Sequence, residues 1–255
     1  MDLRKTFNDD VCNYDEARPN YPYELFEAVF DYAPLSENSH VLEIGIGTGQ
    51  ATLPFLQKNM SVTAVELGDR LSAFCKGKFA EFENFSVIND DFLKASLPEN
   101  SFDLVYSATA FHWIDEKQGF EKINKLLRSG GAVALFWNHP FVGREDDLTN
   151  RASSAVYKKY RPAQKTIREF CSADTLRYVG LLEKYGFKDI KTKLFKRIRT
   201  LSTEEYLNLI NTYSDHLAQP EKIRREFERD MKKAIDEAGG KINIYDTIDL
   251  YLAKK

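Results

Sequence analysis

The chain has 255 residues, 43% apolar and 29% charged, a balance that supports a sizeable core beneath a polar surface. With 36 Lys and Arg against 39 Asp and Glu, its net charge of -3 gives no polyanion-binding footprint, so nucleic acid is not an expected partner. Cys12, Cys75 and Cys171 are scattered and form no C-x-x-C or His/Cys cluster at metal-ligand spacing, so no metal site is expected. Residues 1–30 lack a basic stretch followed by an apolar one, and no apolar run approaches the ~20 residues that span a bilayer. The expectation is a cytoplasmic protein with reduced thiols and no membrane partner; the composition leaves the oligomeric state open.

Residues 1–35 stand outside any strand–helix alternation. Phe7, Tyr14, Tyr21 and Tyr23 interleave there with Asp9, Asp10, Asp15, Glu16 and Arg18. Two X-Pro steps, Arg18-Pro19 and Tyr21-Pro22, stiffen the path, and Pro22 opens a helical stripe through Glu24–Phe30.

Next comes Val41-Leu42-Glu43-Ile44-Gly45-Ile46-Gly47-Thr48-Gly49-Gln50. An apolar run ends in an acid and is followed by three glycines at alternate positions. This pattern predicts a buried strand that turns sharply over its carboxyl end into a helix over Gln50–Lys58. It is not the dinucleotide G-x-G-x-x-G spacing: counted from Gly45 the third glycine would fall at Gln50, and counted from Gly47 at Thr52. No Gly-Lys-Ser/Thr follows, so the Walker pattern fails as well. A second strand, Val62–Leu67, ends in Glu66, 21 positions after Gly45 and close to the ~20-residue spacing that presents an acid to a ribose. A helix over Arg70–Phe82, a third strand at Phe85–Ile88 and then Asn89-Asp90-Asp91-Phe92 follow. The fourth strand is expected at Leu104–Ser107, within the stretch Phe102–Trp113 that contains Ser107-Ala108 and Phe111-His112-Trp113. A helix over Gly119–Leu127, broken by Ser129-Gly130-Gly131, leads to the fifth strand, Ala132–Trp137. That strand is apolar throughout, as expected of one buried on both faces.

After Trp137 the alternation stops. A helix is expected over Asp174–Tyr185 and a strand over Ile190–Ile198, with Ile190, Thr192, Leu194 and Ile198 on one face. Ser202-Thr203-Glu204-Glu205 is a capping-box start for a helix carrying Tyr206, Leu209, Ile210 and Tyr213. A second helix is striped by Ile223, Phe227, Met231 and Ile235, and a final strand covers Ile242–Leu252. The expected fold is α/β, a Rossmann-like doubly wound sheet, mostly parallel, with an antiparallel final strand pair and helical cap insertions. We expect one domain over 1–255, with core about 36–137, 174–200 and 240–255 and cap segments about 1–35, 138–171 and 202–238.

The four strand-end stretches, in this order, resemble the class I S-adenosylmethionine-dependent methyltransferases over about residues 36–140. Tyr14-x-x-x-Arg18-Pro19-x-Tyr21-Pro22 and Phe111-His112-Trp113 also resemble a small-molecule branch similar to trans-aconitate methyltransferase. The resemblance implies S-adenosyl-L-methionine as cofactor. It implies that Glu43 and the turn of Gly45, Gly47 and Gly49 hold the amino-acid end of the cofactor, with Glu66 and Leu67 at the ribose. Asp91, favoured over Asp90, and Phe92 would serve the adenine, while Ser107 and Ala108 lie where the chain passes the methyl group. Tyr14, Arg18 and Tyr21 would belong to a flap, whose alternative is a helix packed on the sheet edge. Trp113, His139 and Tyr213 are candidate substrate residues, each with core or loop packing as the alternative.

The implied reaction is methyl transfer to a small-molecule acceptor by in-line displacement, mainly through positioning. His112 is the candidate base, should the acceptor have to lose a proton; its alternative is a ring that shapes the pocket. Two other functions compete, a non-catalytic sensor or scaffold on the same fold and a nicotinamide-dependent oxidoreductase.

Overall fold

The computed structural model describes residue 8, residues 10–161 and residues 168–255. Phe7 and Asp9 of the expected flap, and residues 162–167 of the expected cap, lie outside the described residues. In chain order the elements are α1 (Val11–Ala17), α2 (Tyr23–Tyr32), β1 (His40–Ile44), α3 (Leu53–Leu56), β2 (Ser61–Glu66), α4 (Asp69–Lys78), β3 (Phe85–Asn89), β4 (Phe102–Ala108), α5 (Glu116–Leu126) and β5 (Leu127–Phe141). There follow α6 (Leu148–Tyr160), α7 (Leu176–Lys184), β6 (Lys188–Ser202), α8 (Thr203–Ile210), α9 (Ser214–Leu217), α10 (Glu221–Glu237) and β7 (Lys241–Lys254).

The seven strands form one sheet in the order β3-β2-β1-β4-β5-β7-β6. The first five are parallel, and β7 runs antiparallel to both β5 and β6, as the expected Rossmann-like fold requires. The strand order reverses between β1 and β4, which opens a crevice outside the carboxyl ends of the strands.

Period-2 alternation puts the two faces of the sheet into separate cores. From β5, Ala132, Ala134 and Phe136 pack with Leu25, Phe26 and Phe55 of α2 and α3. Val133, Leu135 and Trp137 point to the other face, with Phe120 and Ile123 of α5 and Leu182 of α7. A third cluster lies off the sheet, where Val156, Tyr206, Phe227 and Met231 of the cap helices meet Ile242 and Ile244 at the start of β7. Ser202 caps α8 reciprocally with Glu205, as the capping box foretells. Among the described residues no helix is long and apolar enough to cross a membrane.

Several expectations change in detail. The helix after β1 shrinks to Leu53–Leu56, because the glycine turn, with Gly45, Gly47 and Gly49 each at positive φ, interrupts helical backbone through Gly49, and Asn59 (φ 58°) ends the turn beyond it. β5 continues to Phe141, since β7 pairs with it as far as Tyr245, so residues 138–141 belong to the sheet rather than to the cap. Leu25, Phe26 and Val29 of α2 are buried in the main core, so this helix is a core layer. Ile198 is 63% exposed, because β6 is the edge strand and its outer end stays in solvent. Tyr213 is not on a helix with Leu209; it stands at the N-terminal end of α9.

Phe227 is fully buried at the centre of the cap cluster, against Tyr157 and Tyr160. Phe227→Ala should cost about 3–5 kcal/mol in a urea unfolding transition. A loss below about 1 kcal/mol would show that the cap does not unfold with the sheet.

Candidate active site

The carboxyl ends of β1, β2, β3, β4 and β5 border a cavity of about 310 Å³, roofed by α1 and by the residues leading into α9. At its floor Glu43 is fully buried. Its side chain faces the same side as Tyr106, its direct neighbour on β4. Glu43 Oε2 accepts from Thr52 Oγ1 at 2.7 Å and from Tyr106 Oη at 2.8 Å. Oε1 is buried and has no partner among the described residues. Burial pushes the Glu43 carboxyl up to about 7; the two hydroxyl donors oppose this and nearby Glu66 adds to it.

The chain leaves β1 through Gly45, whose φ is +71° and whose missing side chain would stand 2.6 Å from Ala110 Cβ. An L-residue there would meet both the left-handed strain and the clash. Glu66, at the end of β2, turns its carboxylate back onto this loop. Oε2 accepts from the Gly47 N–H at 3.0 Å and Oε1 from the Gly68 N–H at 2.8 Å. The carboxylate retains acceptor capacity beyond its backbone donors, the arrangement a diol can use. Burial raises the Glu66 carboxyl, and the backbone donors lower it. Leu67, Asp91 and Phe92 follow along the wall, and Asp90 lines it beside Asp91. Ala108 lines the cavity at the end of β4.

The opposite wall is aromatic: Tyr14, Tyr21, Trp113 and Tyr213 all line it. Arg18 lies between two of these rings, 5.0 Å from the Tyr14 centroid and 4.8 Å from that of Tyr213. Its Nη2 donates to the Thr212 carbonyl at 2.7 Å. α1 is thereby tied to the cap, and Asn13 adds a second tie to the Asn208 carbonyl at 3.2 Å. On the core side Lys78 bridges Asp15 of α1 at 2.7 Å and the Thr48 carbonyl of the glycine turn at 2.9 Å. His112 lines the same cavity, and its Nδ1 accepts from Trp137 Nε1 at 2.9 Å. Burial pushes its pKa down to about 4, with His139 and Arg177 adding to the effect.

Three expected site residues stand elsewhere. Gly49 does not line the cavity; a side chain there would fall on the Phe79 ring, so its role is packing. Ser107 is fully buried and donates to the Ile44 carbonyl at 2.9 Å, stitching β4 to β1. His139 stacks on Phe170 at 3.9 Å in a neighbouring depression, its Nε2 3.1 Å from Asp249 Oδ2. Thr109, Asn138 and Asp215 line the main cavity without having been anticipated. Thr109 has a φ of 54° and its hydroxyl meets Tyr21 Oη at 2.6 Å. Thr109 and Asn138 could have been found from the rule that ligands sit at the carboxyl ends of strands. Asp215, on the four-residue α9, has no sequence signal.

A family model described as "Methyltransferase domain" matches residues 42–135. An uncharacterized methyltransferase of Schizosaccharomyces pombe is 25% identical over 240 residues, covering 90% of this chain and 88% of the relative. A rRNA adenine N-6-methyltransferase of Limosilactobacillus reuteri is 25% identical over 219 residues, 70% of this chain and 87% of the relative. Among solved structures, one described as a type II methyltransferase from Anaeromyxobacter dehalogenans superposes with a TM-score of 0.68 at 18% identity, over 93% of this chain and 97% of that one. A phosphoethanolamine N-methyltransferase of Haemonchus contortus, solved with phosphomonomethylethanolamine and S-adenosylhomocysteine, gives 0.58 at 16% identity over 100% and 60%. At these identities the structural likenesses concern the fold. Residues 42–135 carry a methyltransferase domain, and the chain is an S-adenosylmethionine-dependent methyltransferase with S-adenosylmethionine as its cofactor. The nicotinamide and non-catalytic alternatives fall away.

The residues present suit that cofactor. Glu43 Oε1 is a buried acceptor that lacks a donor, and an ammonium group supplies one. A cationic ligand favours the ionised Glu43, which in the free protein stays protonated up to about pH 7. Binding then expels a proton below that pH, and affinity for S-adenosylhomocysteine should rise from about pH 5 to 7 by up to about tenfold per unit, then level off. Glu43→Gln should flatten the profile, as measured by calorimetry in buffers of different ionisation enthalpy; a native profile already flat would rule this linkage out. Gly49→Ala should lose about 2 kcal/mol or more of stability. Any loss of cofactor binding in that variant should vanish at low temperature, where it is fully folded.

Proposed function

We propose that this methyltransferase modifies a small-molecule acceptor enclosed between the strand ends and the cap, and that it works mainly by positioning. The observation that carries the reading is the roof. α1 closes over the cavity and is tied to both the cap and the core, a geometry suited to a compact acceptor. The lining supports it, since Glu43, Glu66, Asp90, Asp91 and Asp215 line the cavity with Arg18 as the one Lys or Arg among the described lining. A polynucleotide would meet mostly like charge there.

Glu43 with Gly45 and Gly47 would hold the amino-acid end of the cofactor, Glu66 and Leu67 the ribose, and Asp91 with Phe92 the adenine. When bound, S-adenosylmethionine supplies a methyl carbon made electrophilic by the attached sulfonium. Ala108 and Thr109, which line the cavity at the end of β4, would border the methyl side. Tyr14, Tyr21, Trp113 and Tyr213 keep water out and restrict the acceptor's orientation. Holding reactants in near-attack geometry is worth ~7–11 kcal/mol, and a dedicated proton acceptor is needed only where the nucleophile must first lose a proton.

The test begins with calorimetric titration of S-adenosylhomocysteine, with NAD as control. Glu66→Ala should weaken binding by about 1.5–3 kcal/mol, the cost of losing charged hydrogen bonds; unchanged affinity would remove Glu66 from the site. Acceptors are then screened with methyl-labelled cofactor across carboxylates, phenols and amines, alongside total RNA. Label in RNA and in none of the small molecules would overturn the proposal.

A further inference from the structure

His112 occupies a tight turn, Phe111–Trp113, immediately after β4. What faces the back of its ring fixes what the front can do. Trp137 Nε1 reaches His112 Nδ1 at 2.9 Å. An indole N–H is a donor and never an acceptor, so Nδ1 must offer its lone pair. A neutral imidazole whose Nδ1 is bare carries its proton on Nε2.

The indole is held firmly. Trp137 is 5% exposed and stacks on Tyr178 of α7, centroids 4.3 Å apart. Its backbone N–H donates to Asp249 Oδ1 at 2.9 Å. Asp249 Oδ2 in turn accepts from Tyr251 Oη at 2.7 Å and lies 3.1 Å from His139 Nε2. The charged and titratable groups around His112 are Arg177 of α7 and His139 of β5, with Asp249 beyond it. Both neighbouring bases, like burial, disfavour an imidazolium.

We infer that His112 serves the reaction as a fixed hydrogen-bond donor to the acceptor molecule and not as a base, and that Trp137 is the positioning residue that sets this tautomer. The inference rests on the small-molecule reading and narrows it. The acceptor carries a hydrogen-bond-accepting oxygen or nitrogen at, or next to, the atom to be methylated. Its nucleophilic lone pair is already free when it binds, as in an ionised acid, a thiolate or a neutral amine. No proton passes to His112; one left on a methylated amine goes to solvent.

The tautomer can be read without knowing the acceptor. In enzyme labelled with nitrogen-15 histidine, long-range proton–nitrogen correlation should show a bare Nδ1 and a protonated Nε2 at His112 across neutral pH. Trp137→Phe should mix the two tautomers and move the ring's titration up toward its ordinary range of about 6.5. A protonated Nδ1 in the native enzyme, or an unchanged signal in Trp137→Phe, overturns the inference. With an acceptor in hand, His112→Ala should lose about tenfold or more in kcat/KM. His112→Gln keeps a donor but no base, and should recover most of that loss, with no new limb in the pH profile. His112→Gln as impaired as His112→Ala would restore the base role. S-adenosylhomocysteine affinity and circular dichroism report whether each variant is folded. An RNA acceptor would sink the small-molecule reading while leaving the tautomer measurement to stand or fall separately.

Discussion

The carboxylate of Glu43 sets the terms for the rest of the site. Its place at the end of β1, beside Tyr106 and under Thr52, is fixed by sheet register and by the short helix after the glycine turn. Two hydroxyls satisfy one oxygen and leave the other buried and bare. Such an arrangement is costly in an empty protein, because an unpaired buried acceptor forfeits its hydration. A cationic ligand converts that cost into binding energy. In the proposed arrangement the cofactor would complete this interaction, and the surrounding core, with Phe55 stacked 4.4 Å from Tyr106, keeps the carboxylate from relaxing toward solvent.

The second organising feature is the junction between sheet and cap. Asp246 on β7 is almost wholly buried and accepts from Arg197 Nε at 2.9 Å and Arg199 Nε at 2.5 Å on β6, and from Asn138 Nδ2 on β5 at 3.2 Å. Arg197 also donates to the Asn20 carbonyl at 2.5 Å, just beyond α1. One buried acid thus joins three strands and, through its arginine partner, the segment that leads from the roof into α2. Breaking such a pair from one side leaves an uncompensated charge, so the junction favours a single arrangement of cap on sheet.

Much of this was legible in the sequence because it rests on local rules. The acids ending β1 and β2 and the glycines between them declare a strand-end ligand site, since φ-positive turns and buried carboxylates are visible one residue at a time. The alternation in β5 and β7 and the capping box before α8 are equally local. What escaped depends on distant partners. Gly49 looks like its neighbours in the turn, yet Phe79, thirty residues on, decides that it packs. His139 follows a strand end like other site residues, but pairing of β5 with β7 to Phe141 turns it toward Asp249 and away from the main cavity. Asp215 reaches the cavity only because the α8–α10 insertion folds back over it. The side of a histidine that holds the proton is likewise invisible without knowing that Trp137 lies behind His112.

The ties made by α1 bear on how ligands come and go. Tyr14 lies over the glycine turn, its ring 3.5 Å from where a Gly47 side chain would begin, while Arg18, one helical turn later, is bound to the cap. One seven-residue helix with its capping Arg18 therefore spans the cavity from the glycine turn to the cap, the two ends proposed above for cofactor and acceptor. Lifting it breaks the Lys78, Asn13 and Arg18 contacts together and opens both compartments at once. On the proposed reading, the spent cofactor and the methylated product would leave past the same helix, so their residence times would be coupled through the same few hydrogen bonds.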